Sequence, residues 1–520
     1  MPFVYPIPSQ HFESPSKLIL FLFKKAYFEP LVQSTNARIR EKVPNPDAHL
    51  VTVDELIEYK ALDTLATSAF LKPTHMNFKM WFKNVNYLAK PYIGDKNLNL
   101  KLSRKRFDFI SKYLDVGQKT MVQKKIKRGT RLVTATKANG DPILIYDMNH
   151  KLDGFIDGLN KVFLKYKNPN DRILTLDESF RKSYSHKDQL QSFLPTKPDK
   201  YGQKFQSLCD SESYVHYFQF DHTCQFSRWQ GTNGLLDFMV PEKYKSRGIT
   251  LCCDNYYFTF DNLKLLHSQG VAAFGTFRKL RIGKVMGQDF VNSLTKKVPK
   301  AQFVRKFELF ECELDSRIHG DGQFVQFGFY FDKVDKTILF GTNDPRLFND
   351  DEGSHKSKTL NQYEKPNMVK SYNNSKYFVD EFDRMLTQYT SVRPYRNGRC
   401  VRRFLGNCWD FCMNNAFILF KNHVQHPSNT ESKFKGMLKN RTLRSFFYIN
   451  GLIGLIGFKN EIPEVQPEVP NCGPFDLSEC DFDNPPHAKR TRTRFKCAKC
   501  RKYVCKAHSV TVCISCLQNH

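Results

Sequence analysis

One stretch decides the fold class. It reads Gly248-Ile-Thr-Leu-Cys-Cys-Asp254, continues through residues 262–269 and ends in Val271-Ala-Ala-Phe-Gly-Thr276. The first and last segments are short apolar runs of a composition that favours strands, and the middle segment predicts a helix. A strand, a helix and a second strand in succession predict a mixed α/β sheet.

Two acids close predicted strands, and two more share a predicted helix. Asp254 ends the strand quoted above, and Asp177 ends the upstream run Arg172-Ile-Leu-Thr-Leu-Asp177. Asp380 and Asp383 are three residues apart on the helix predicted for residues 377–389, so they lie on one face. Carboxylates at strand ends open into the crevice of an α/β sheet, where they suit hard cations such as Mg²⁺. By itself this pattern is a weak signal, because the spacing is more typical of acids in turns, helix caps and exposed faces.

The charge of the chain indicates a polyanion as its partner. The 520 residues carry 80 Lys and Arg against 52 Asp and Glu, a formal net charge of +28. Nucleic acid and an anionic membrane surface both fit this excess, and nucleic acid is the favoured reading. The longest apolar run, residues 446–458, is too short to cross a bilayer, and the N-terminus does not resemble a secretion signal. The sequence therefore predicts a nucleic-acid-binding protein without a membrane span.

The C-terminal residues 497–520 predict a zinc site. They contain two Cys-x-x-Cys pairs with a Cys-x-x-His pair between them. A two-residue gap lets both side chains reach one tetrahedral ion, and Zn²⁺ prefers thiolate and imidazole ligands. A disulfide cluster is the alternative, but the other cysteines are scattered, which favours a reducing compartment. Six ligands are too many for one zinc and too few for two. They are Cys497, Cys500, Cys505, His508, Cys513 and Cys516.

Composition divides the remainder of the chain. Residues 1–171 look mainly helical and basic, and further strands are predicted at residues 205–209 and 214–220. Residues 461–486 hold seven acids, six prolines and no Lys or Arg, which is typical of an extended linker. Residues 489–506 then carry nine Lys and Arg and no acid.

Several motifs resemble the piggyBac transposase family, in that family's order. The resemblance covers roughly residues 50–520 and includes the C-terminal cysteine pattern. The motifs that carry it include Leu174-Thr-Leu-Asp177-Glu-Ser-Phe, Lys197-Pro-Asp-Lys-Tyr-Gly202-Gln-Lys204, Cys253-Asp254-Asn-Tyr-Tyr-Phe-Thr259, Gly275-Thr-Phe-Arg-Lys279 and Val379-Asp380-Glu-Phe-Asp383-Arg-Met385.

The resemblance implies a multidomain α/β protein with an RNase H-like catalytic core. An insertion domain would interrupt this core, a helical dimerisation and DNA-binding domain would flank it, and a cross-brace zinc-binding domain would end the chain. The expected boundaries are 1–171 for the N-terminal helical domain, 172–280 and 366–390 for the core, 281–365 for the insertion, 391–460 for the second helical part, 461–486 for the linker and 487–520 for the zinc domain.

The resemblance also implies a cut-and-paste DNA transposase of the DDE/D type acting at TTAA sequences. The catalytic acids map to Asp177, Asp254 and Asp380, which would hold Mg²⁺ or Mn²⁺, with Asp383 as an accessory acid. Two such ions can activate an attacking oxygen and stabilise a leaving oxygen. Cleavage by water, hairpin formation and attack of a 3′-OH on target DNA would follow. The basic residues expected to contact DNA phosphates beside these acids are Lys200, Lys204, Arg278 and Lys279.

For the tail, the resemblance implies two zinc ions in a cross-brace. Cys497, Cys500, Cys513 and Cys516 would hold one ion. Cys505 and His508 would hold the other together with Cys480 and His487, with Cys472 and His520 as substitutes, and a single-zinc domain is the alternative. The basic residues expected to serve both nuclear import and DNA contact are Lys489, Arg490, Arg492 and Arg494. A homodimer in the nucleus that binds double-stranded DNA is expected.

The chain also departs from the family pattern. Phe378 stands where the family usually has Gly two residues before its third acid, and the acidic N-terminal extension is missing or very short. All four acids are retained, which favours catalysis. The alternatives are a catalytically silent, host-domesticated DNA-binding protein and a tail that binds protein instead of DNA.

Overall fold

The computed structural model divides the chain into two compact units, Met1–Ile462 and Pro463–His520. In the second unit, strand β15 (Ser478–Glu479) pairs antiparallel with β16 (Arg492–Thr493). The residues that the structure describes are 7–67, 78–93, 97–117, 121–123, 125–128, 131–146, 148–167, 172–183, 190–195, 197–221, 231–294, 306–313, 324–333, 336–347, 355–359, 365–392, 400–426, 440–456, 478–479 and 492–493.

The N-terminal part is mainly helical, as the sequence predicts. Its first helix begins at a serine cap, because the Ser14 hydroxyl accepts a hydrogen bond from the Lys17 N–H at 3.3 Å. Two small antiparallel sheets, β1 (Met121–Gln123) with β4 (Leu144–Tyr146) and β2 (Lys125–Arg128) with β3 (Arg131–Thr134), follow the fifth helix. The helices are α1 (Pro15–Phe23), α2 (Glu29–Lys42), α3 (Val53–Thr67), α4 (Phe78–Ile93), α5 (Arg104–Tyr113) and α6 (Met148–Tyr166).

Ten strands of the first unit form one mixed sheet, which confirms the predicted α/β class. In the part of the chain that is described, the order is β14-β11-β12-β13-β10-β9-β5-β7-β6, and β8 also pairs with β7. The pairs β5–β9 and β9–β10 are parallel, and the others are antiparallel. The strands are β5 (Ile173–Lys182), β6 (Ser192–Phe193), β7 (Tyr201–Cys209), β8 (Val215–Phe220), β9 (Thr250–Cys253), β10 (Ala272–Phe277), β11 (Lys306–Glu313), β12 (Phe324–Lys333), β13 (Lys336–Thr342) and β14 (His355–Thr359).

The strands within residues 281–365 extend this central sheet. Strand β13 pairs antiparallel with β10, and β12, β11 and β14 follow outward from it. The segment expected to be an insertion domain therefore continues the sheet of the core in the residues described. The domain boundaries given above stay a prediction.

Helices cover both faces of the sheet. One core joins the N-terminal helices and the long C-terminal helix of the first unit to β7 and β8, and a second core packs α7 and α8 on β5, β9 and β10. The remaining helices are α7 (Gly231–Met239), α8 (Phe260–Ser268), α9 (Lys279–Met286), α10 (Gln288–Leu294), α11 (Asn367–Ser375), α12 (Phe378–Gln388), α13 (Cys400–Gln425) and α14 (Asn440–Leu455).

Helix α13 is the central helix of the first core. It is buried along most of its length, which explains why its sequence is apolar on nearly all sides. The Asn415 amide fixes it to the sheet, because its Oδ1 accepts from the Val215 N–H at 3.0 Å and its Nδ2 donates to the Val215 carbonyl at 2.7 Å. A search of the described helices for one long and apolar enough to cross a bilayer finds none.

Candidate active site

Two of the predicted acids lie side by side at the end of the parallel part of the sheet. In the register of β5 and β9, Leu176 pairs with Cys253. Asp177 and Asp254 are the residues that follow this pair on the two adjacent segments. Strand β9 ends at Cys253, whereas β5 continues to Lys182 because β7 pairs with it along this length. The prediction that Asp177 ends its strand is therefore wrong, although its position beside Asp254 is the one that a strand-end site requires.

The turn that carries Asp254 is held by its own backbone. The Tyr256 N–H donates to Asp254 Oδ1 at 2.7 Å, and the Phe258 N–H donates to the Asp254 carbonyl at 3.0 Å. Thr259 then caps α8 by accepting from the Asn262 N–H at 3.0 Å. The chain thus passes from strand to turn to helix with the Asp254 carboxylate fixed at the sheet edge.

Two arginines brace the same turn from α9. Arg281 donates to three carbonyl oxygens, those of Asn255 at 2.6 Å and of Tyr256 and Phe258 at 3.2 Å. Arg278 donates from Nε to the Asn255 side-chain oxygen at 2.9 Å. These contacts place two guanidinium groups beside the acids. Arg281 was not predicted from the sequence, where it is one more basic residue after the Gly275 motif.

Burial and nearby carboxylates both raise the pKa of acids in this site. Burial raises the pKa of Asp177 to about 7, and the nearby carboxylates of Asp254 and Asp380 add to this rise. The Glu178 N–H, which donates to Asp177 Oδ1 at 2.8 Å, opposes it. Burial also raises the pKa of Asp254, against two backbone hydrogen bonds, and the charge of Glu178 adds to it. Asp177 therefore lies close enough to Asp254 and Asp380 for their charges to raise its pKa.

The two acids of α12 play different parts. Asp380 is exposed and contributes to the charge felt by Asp177. Asp383 instead accepts hydrogen bonds from the Ser179 hydroxyl and from the Phe180 N–H, the latter at 3.2 Å. Burial raises the pKa of Asp383, and Arg181 opposes this rise. Asp383 therefore fastens α12 to β5, and Asp380 is the acid that α12 presents near Asp177.

The donors suit a magnesium ion but are not gathered around one point. Within the described residues, no group of three or more His, Cys, Asp or Glu side chains is placed to hold a metal. Mg²⁺ usually takes one or two carboxylates together with substrate phosphates and water. The adjacent carboxylates of Asp177 and Asp254 supply the oxygen ligands of that type. These residues therefore fit a Mg²⁺ ion whose remaining ligands come from substrate and water.

The predicted DNA-contacting lysines and arginines fall into two groups. Lys200, Arg278 and Lys279 are exposed, and of these Arg278 lies close enough to Asp254 to oppose the rise of its pKa. Lys204 is buried and forms ion pairs with Glu178 at 2.6 Å and Asp221 at 2.9 Å, so its charge is already neutralised. A phosphate contact by Lys204 would require breaking these pairs.

Lys197 is a basic residue that the sequence reading missed. Its charge lowers the pKa of both Asp177 and Asp383, which places it near the acids. The motif Lys197-Pro-Asp-Lys-Tyr-Gly202 already contained it, but nothing in the motif distinguished it from Lys200. Of the predicted tail residues, only Arg492 lies in a described strand; Lys489, Arg490, Arg494 and the proposed zinc ligands lie outside the described residues.

Comparisons with known proteins agree with this architecture. The sequence profile of the family described as transposase IS4 matches residues 14–417. The human PiggyBac transposable element-derived protein 3 is 27% identical over 318 residues, which cover 57% of this chain and 48% of that protein. The human chimeric ERCC6-PGBD3 protein is also 27% identical over 318 residues, which are 27% of its length. The matches thus span about half of the first relative and about a quarter of the second.

A solved structure has a similar fold. It is the piggyBac transposase in a synaptic complex with hairpin DNA, with a TM-score of 0.58 and 18% identity, covering 98% of this chain and 97% of that one. The family match, the human relatives and this fold confirm the resemblance seen in the motifs. The chain belongs to the transposase IS4 family, among its piggyBac-type members.

Proposed function

We propose that the protein is a DNA transposase of the DDE/D type, or a derivative with the same chemistry, that cuts DNA and joins a 3′-OH to target DNA at TTAA sites. The observation that carries this proposal is the register that sets Asp177 beside Asp254. Three antiparallel strands, β8, β7 and β5, followed by the parallel β9 and β10, give the strand order expected of an RNase H-like core. The acids lie at the carboxyl end of its parallel strands, where α/β sheets bind ligands.

Exposed cations on this part of the chain would bind the DNA backbone. Lys200, Arg278 and Lys279 are exposed, and Lys197 lies close enough to Asp177 to lower its pKa. Cationic side chains around a carboxylate pair orient a phosphodiester while leaving the acids free for the reacting phosphate. Lys204 has a structural role instead, because its ammonium group forms ion pairs with Glu178 and Asp221.

Asp177 and Asp254 would hold Mg²⁺ or Mn²⁺, with Asp380 approaching from α12. A bound divalent ion would supply activation of the attacking oxygen and stabilisation of the leaving oxygen. The protein's own contribution is orientation: the Tyr256 and Phe258 N–H groups fix the Asp254 turn, and the Glu178 N–H fixes Asp177.

We propose further roles for the C-terminal tail and for a second copy of the chain. The cysteine-rich tail would bind zinc and DNA, the basic run that contains Lys489 and Arg494 would direct the protein to the nucleus, and two copies would hold two DNA ends. The solved relative is a transposase in a synaptic complex with hairpin DNA, which supports DNA as the partner. Zinc content measured on full-length protein and on a variant lacking residues 487–520 tests the tail.

A catalytically silent DNA-binding protein is the second candidate. Two observations favour it: the described acids are not assembled around one point, and a human relative is described as derived from a transposable element. Such a protein would bind DNA equally well with or without Asp177 and Asp254.

A cleavage assay separates the two candidates. Wild-type protein is incubated with Mg²⁺ and with DNA that carries a transposon end flanked by TTAA. Nicks and hairpins are then resolved on denaturing gels. We expect cleavage by the wild type and none by Asp254→Ala. Asp261→Ala, which removes an exposed acid of α8, is the matched control and should cleave normally. DNA that is bound but never cut by the wild type would favour the silent protein.

A further inference from the structure

An exposed aromatic ring stands beside the candidate catalytic acids. Tyr256 follows Asp254 by two residues and is 43% exposed, although large aromatic side chains are usually buried. We propose that Tyr256 is a nucleobase-stacking residue, on which an unpaired base of the bound DNA strand rests next to Asp254. This inference rests on the proposed function, because it assigns a binding role within the same DNA site.

The backbone of Tyr256 is fixed even though its ring is exposed. Its N–H donates to Asp254 Oδ1 at 2.7 Å, and its carbonyl accepts from Arg281 at 3.2 Å. The ring contacts the Tyr257 ring in a T-shaped arrangement with centroids 5.0 Å apart. Tyr257 itself is buried and donates to Gln206 at 2.5 Å, so it is a rigid support. A ring held in this way loses little conformational entropy when a base stacks on it.

Other exposed aromatic rings also contact a neighbouring side chain. The Lys376 ammonium lies over the Tyr377 ring at 4.7 Å from its centroid. Phe193 and Tyr201 contact each other, with centroids 5.0 Å apart. Tyr256 differs from these three rings in following Asp254 by two residues, on a backbone that is held by hydrogen bonds with Asp254 and Arg281.

The charges around Tyr256 indicate nucleic acid as the occupant. Arg278 and Lys279 are exposed on the neighbouring segment, and Arg278 contacts Asn255 directly. Cationic side chains next to an aromatic platform are the combination that binds single strands, because the cations hold phosphates while the ring stacks on a base. Bases inside a duplex are already stacked on both faces, so the ring selects a base that has left the stack.

Binding measurements without metal test the inference separately from catalysis. Two DNAs of the same duplex sequence are compared in EDTA, one blunt and one with a single-stranded extension. We expect the wild type to prefer the extended DNA. Tyr256→Ala should lower affinity for the extended DNA by about 5- to 150-fold, the value of one stacked base, and leave affinity for the blunt DNA within about twofold. Tyr256→Phe should behave like the wild type, since it keeps the ring.

Two controls make the result decisive. Tyr87→Ala removes an exposed ring from α4 and should not change the preference for extended DNA. Iodouracil placed in the extension and irradiated with the wild type should give an adduct on Tyr256, a result that does not depend on how any variant folds. Equal loss for both DNAs in Tyr256→Ala, or an adduct that excludes Tyr256, would overturn the inference alone. Wild-type protein that binds neither DNA would overturn the proposed function and this inference with it.

Discussion

At the scale of single residues, two acids three positions apart on α12 have different surroundings. Asp380 is exposed near Asp177, whereas Asp383 accepts hydrogen bonds from Ser179 and Phe180. Sequence spacing groups these acids because it predicts only that they share a helix face. The hydrogen bonds that separate their roles come from β5, about two hundred residues upstream.

We expect Asp383→Ala to lower the free energy of unfolding by about 1–3 kcal/mol, because it leaves the Phe180 N–H and the Ser179 hydroxyl without their acceptor. Asp380→Ala should change it by less than about 0.5 kcal/mol, since the side chain is exposed, yet should abolish DNA cleavage. Urea unfolding followed by circular dichroism measures both variants. Equal destabilisation by the two substitutions would contradict the separation of roles.

Lys204 and Lys200 form a second contrasting pair. Lys204→Met should cost about 1–3 kcal/mol of stability, because the buried Asp221 and the half-buried Glu178 lose their cationic partner. Lys200→Met should leave stability unchanged and weaken DNA binding, with a smaller dependence of affinity on salt. Urea unfolding and binding titrations at several salt concentrations measure the two effects. A stable Lys204→Met that loses DNA affinity would show that Lys204 contacts DNA after all.

At the scale of elements, the Asp254 turn depends on a glycine in the next strand. A Cβ on Gly275 would lie 2.2 Å from the Cys253 carbonyl oxygen and 3.0 Å from the Phe258 ring. Strand β10 can thus approach β9 closely only because residue 275 has no side chain. This gives a physical reason for the glycine in the motif Gly275-Thr-Phe-Arg-Lys279.

We therefore expect Gly275→Ala to destabilise the protein by about 1–3 kcal/mol, the usual cost of overpacking, and to reduce DNA cleavage by displacing the Asp254 turn. Gly154→Ala in α6 is the control, because a Cβ there meets no atom within 4 Å and alanine favours helices. Differential scanning calorimetry and the cleavage assay measure both variants. Unchanged melting of Gly275→Ala would show that the turn can move without cost.

The local sequence pattern was enough to predict helices and strands, but it did not predict which of them pair or pack together. The alternation of strand, helix and strand around residues 248–276 predicted a mixed α/β sheet, because the apolar pattern of each segment depends on its own burial, and the structure pairs β9 and β10 in parallel within that sheet. The extension of β5 beyond Asp177 is set by pairing with β7, and the joining of β11–β14 to β10 is set by distant contacts. Lys197, Arg281 and Tyr256 escaped notice for the same reason, since only folding brings them to the acids.

At the scale of the whole molecule, a buried polar network joins α6, the sheet and α13. The Lys167 ammonium pairs with Asp210 and, at 2.9 Å, with Glu212. Asp210 also contacts His216 Nε2 at 3.0 Å, and the Tyr244 hydroxyl lies 2.5 Å from His216 Nδ1. A neutral imidazole satisfies both contacts, donating to Asp210 and accepting from Tyr244. Glu212 in turn accepts from Asn422 of α13 at 2.7 Å.

This network makes stability depend on pH. Burial lowers the pKa of His216 below its ordinary value, so between the two values the unfolded chain binds more protons than the folded one. Stability should therefore fall as pH drops below about 6.5, by at most about 1.4 kcal/mol per pH unit for this group. Burial alone would raise the pKa of Asp210, but Lys167 and His216 hold it well below its usual range. Its contribution should be lost below about pH 4.

Urea unfolding at pH 7, 6 and 5 measures this dependence, and His216→Gln provides the comparison. Glutamine can donate to Asp210 and accept from Tyr244 but does not titrate, so the variant should show a flatter profile between pH 7 and 5. Identical slopes for wild type and variant would show that His216 does not carry the dependence.

Metal rescue tests whether Asp177 and Asp254 together hold a metal ion for DNA strand cleavage. A thiolate binds softer ions better than Mg²⁺, so Asp254→Cys should fail to cleave in Mg²⁺ and regain cleavage in Mn²⁺. Asp254→Ala, which has no ligand atom, should stay inactive in both metals. Cleavage of TTAA-flanked DNA by Asp254→Ala at the wild-type rate would show that Asp254 does not hold a catalytic metal ion.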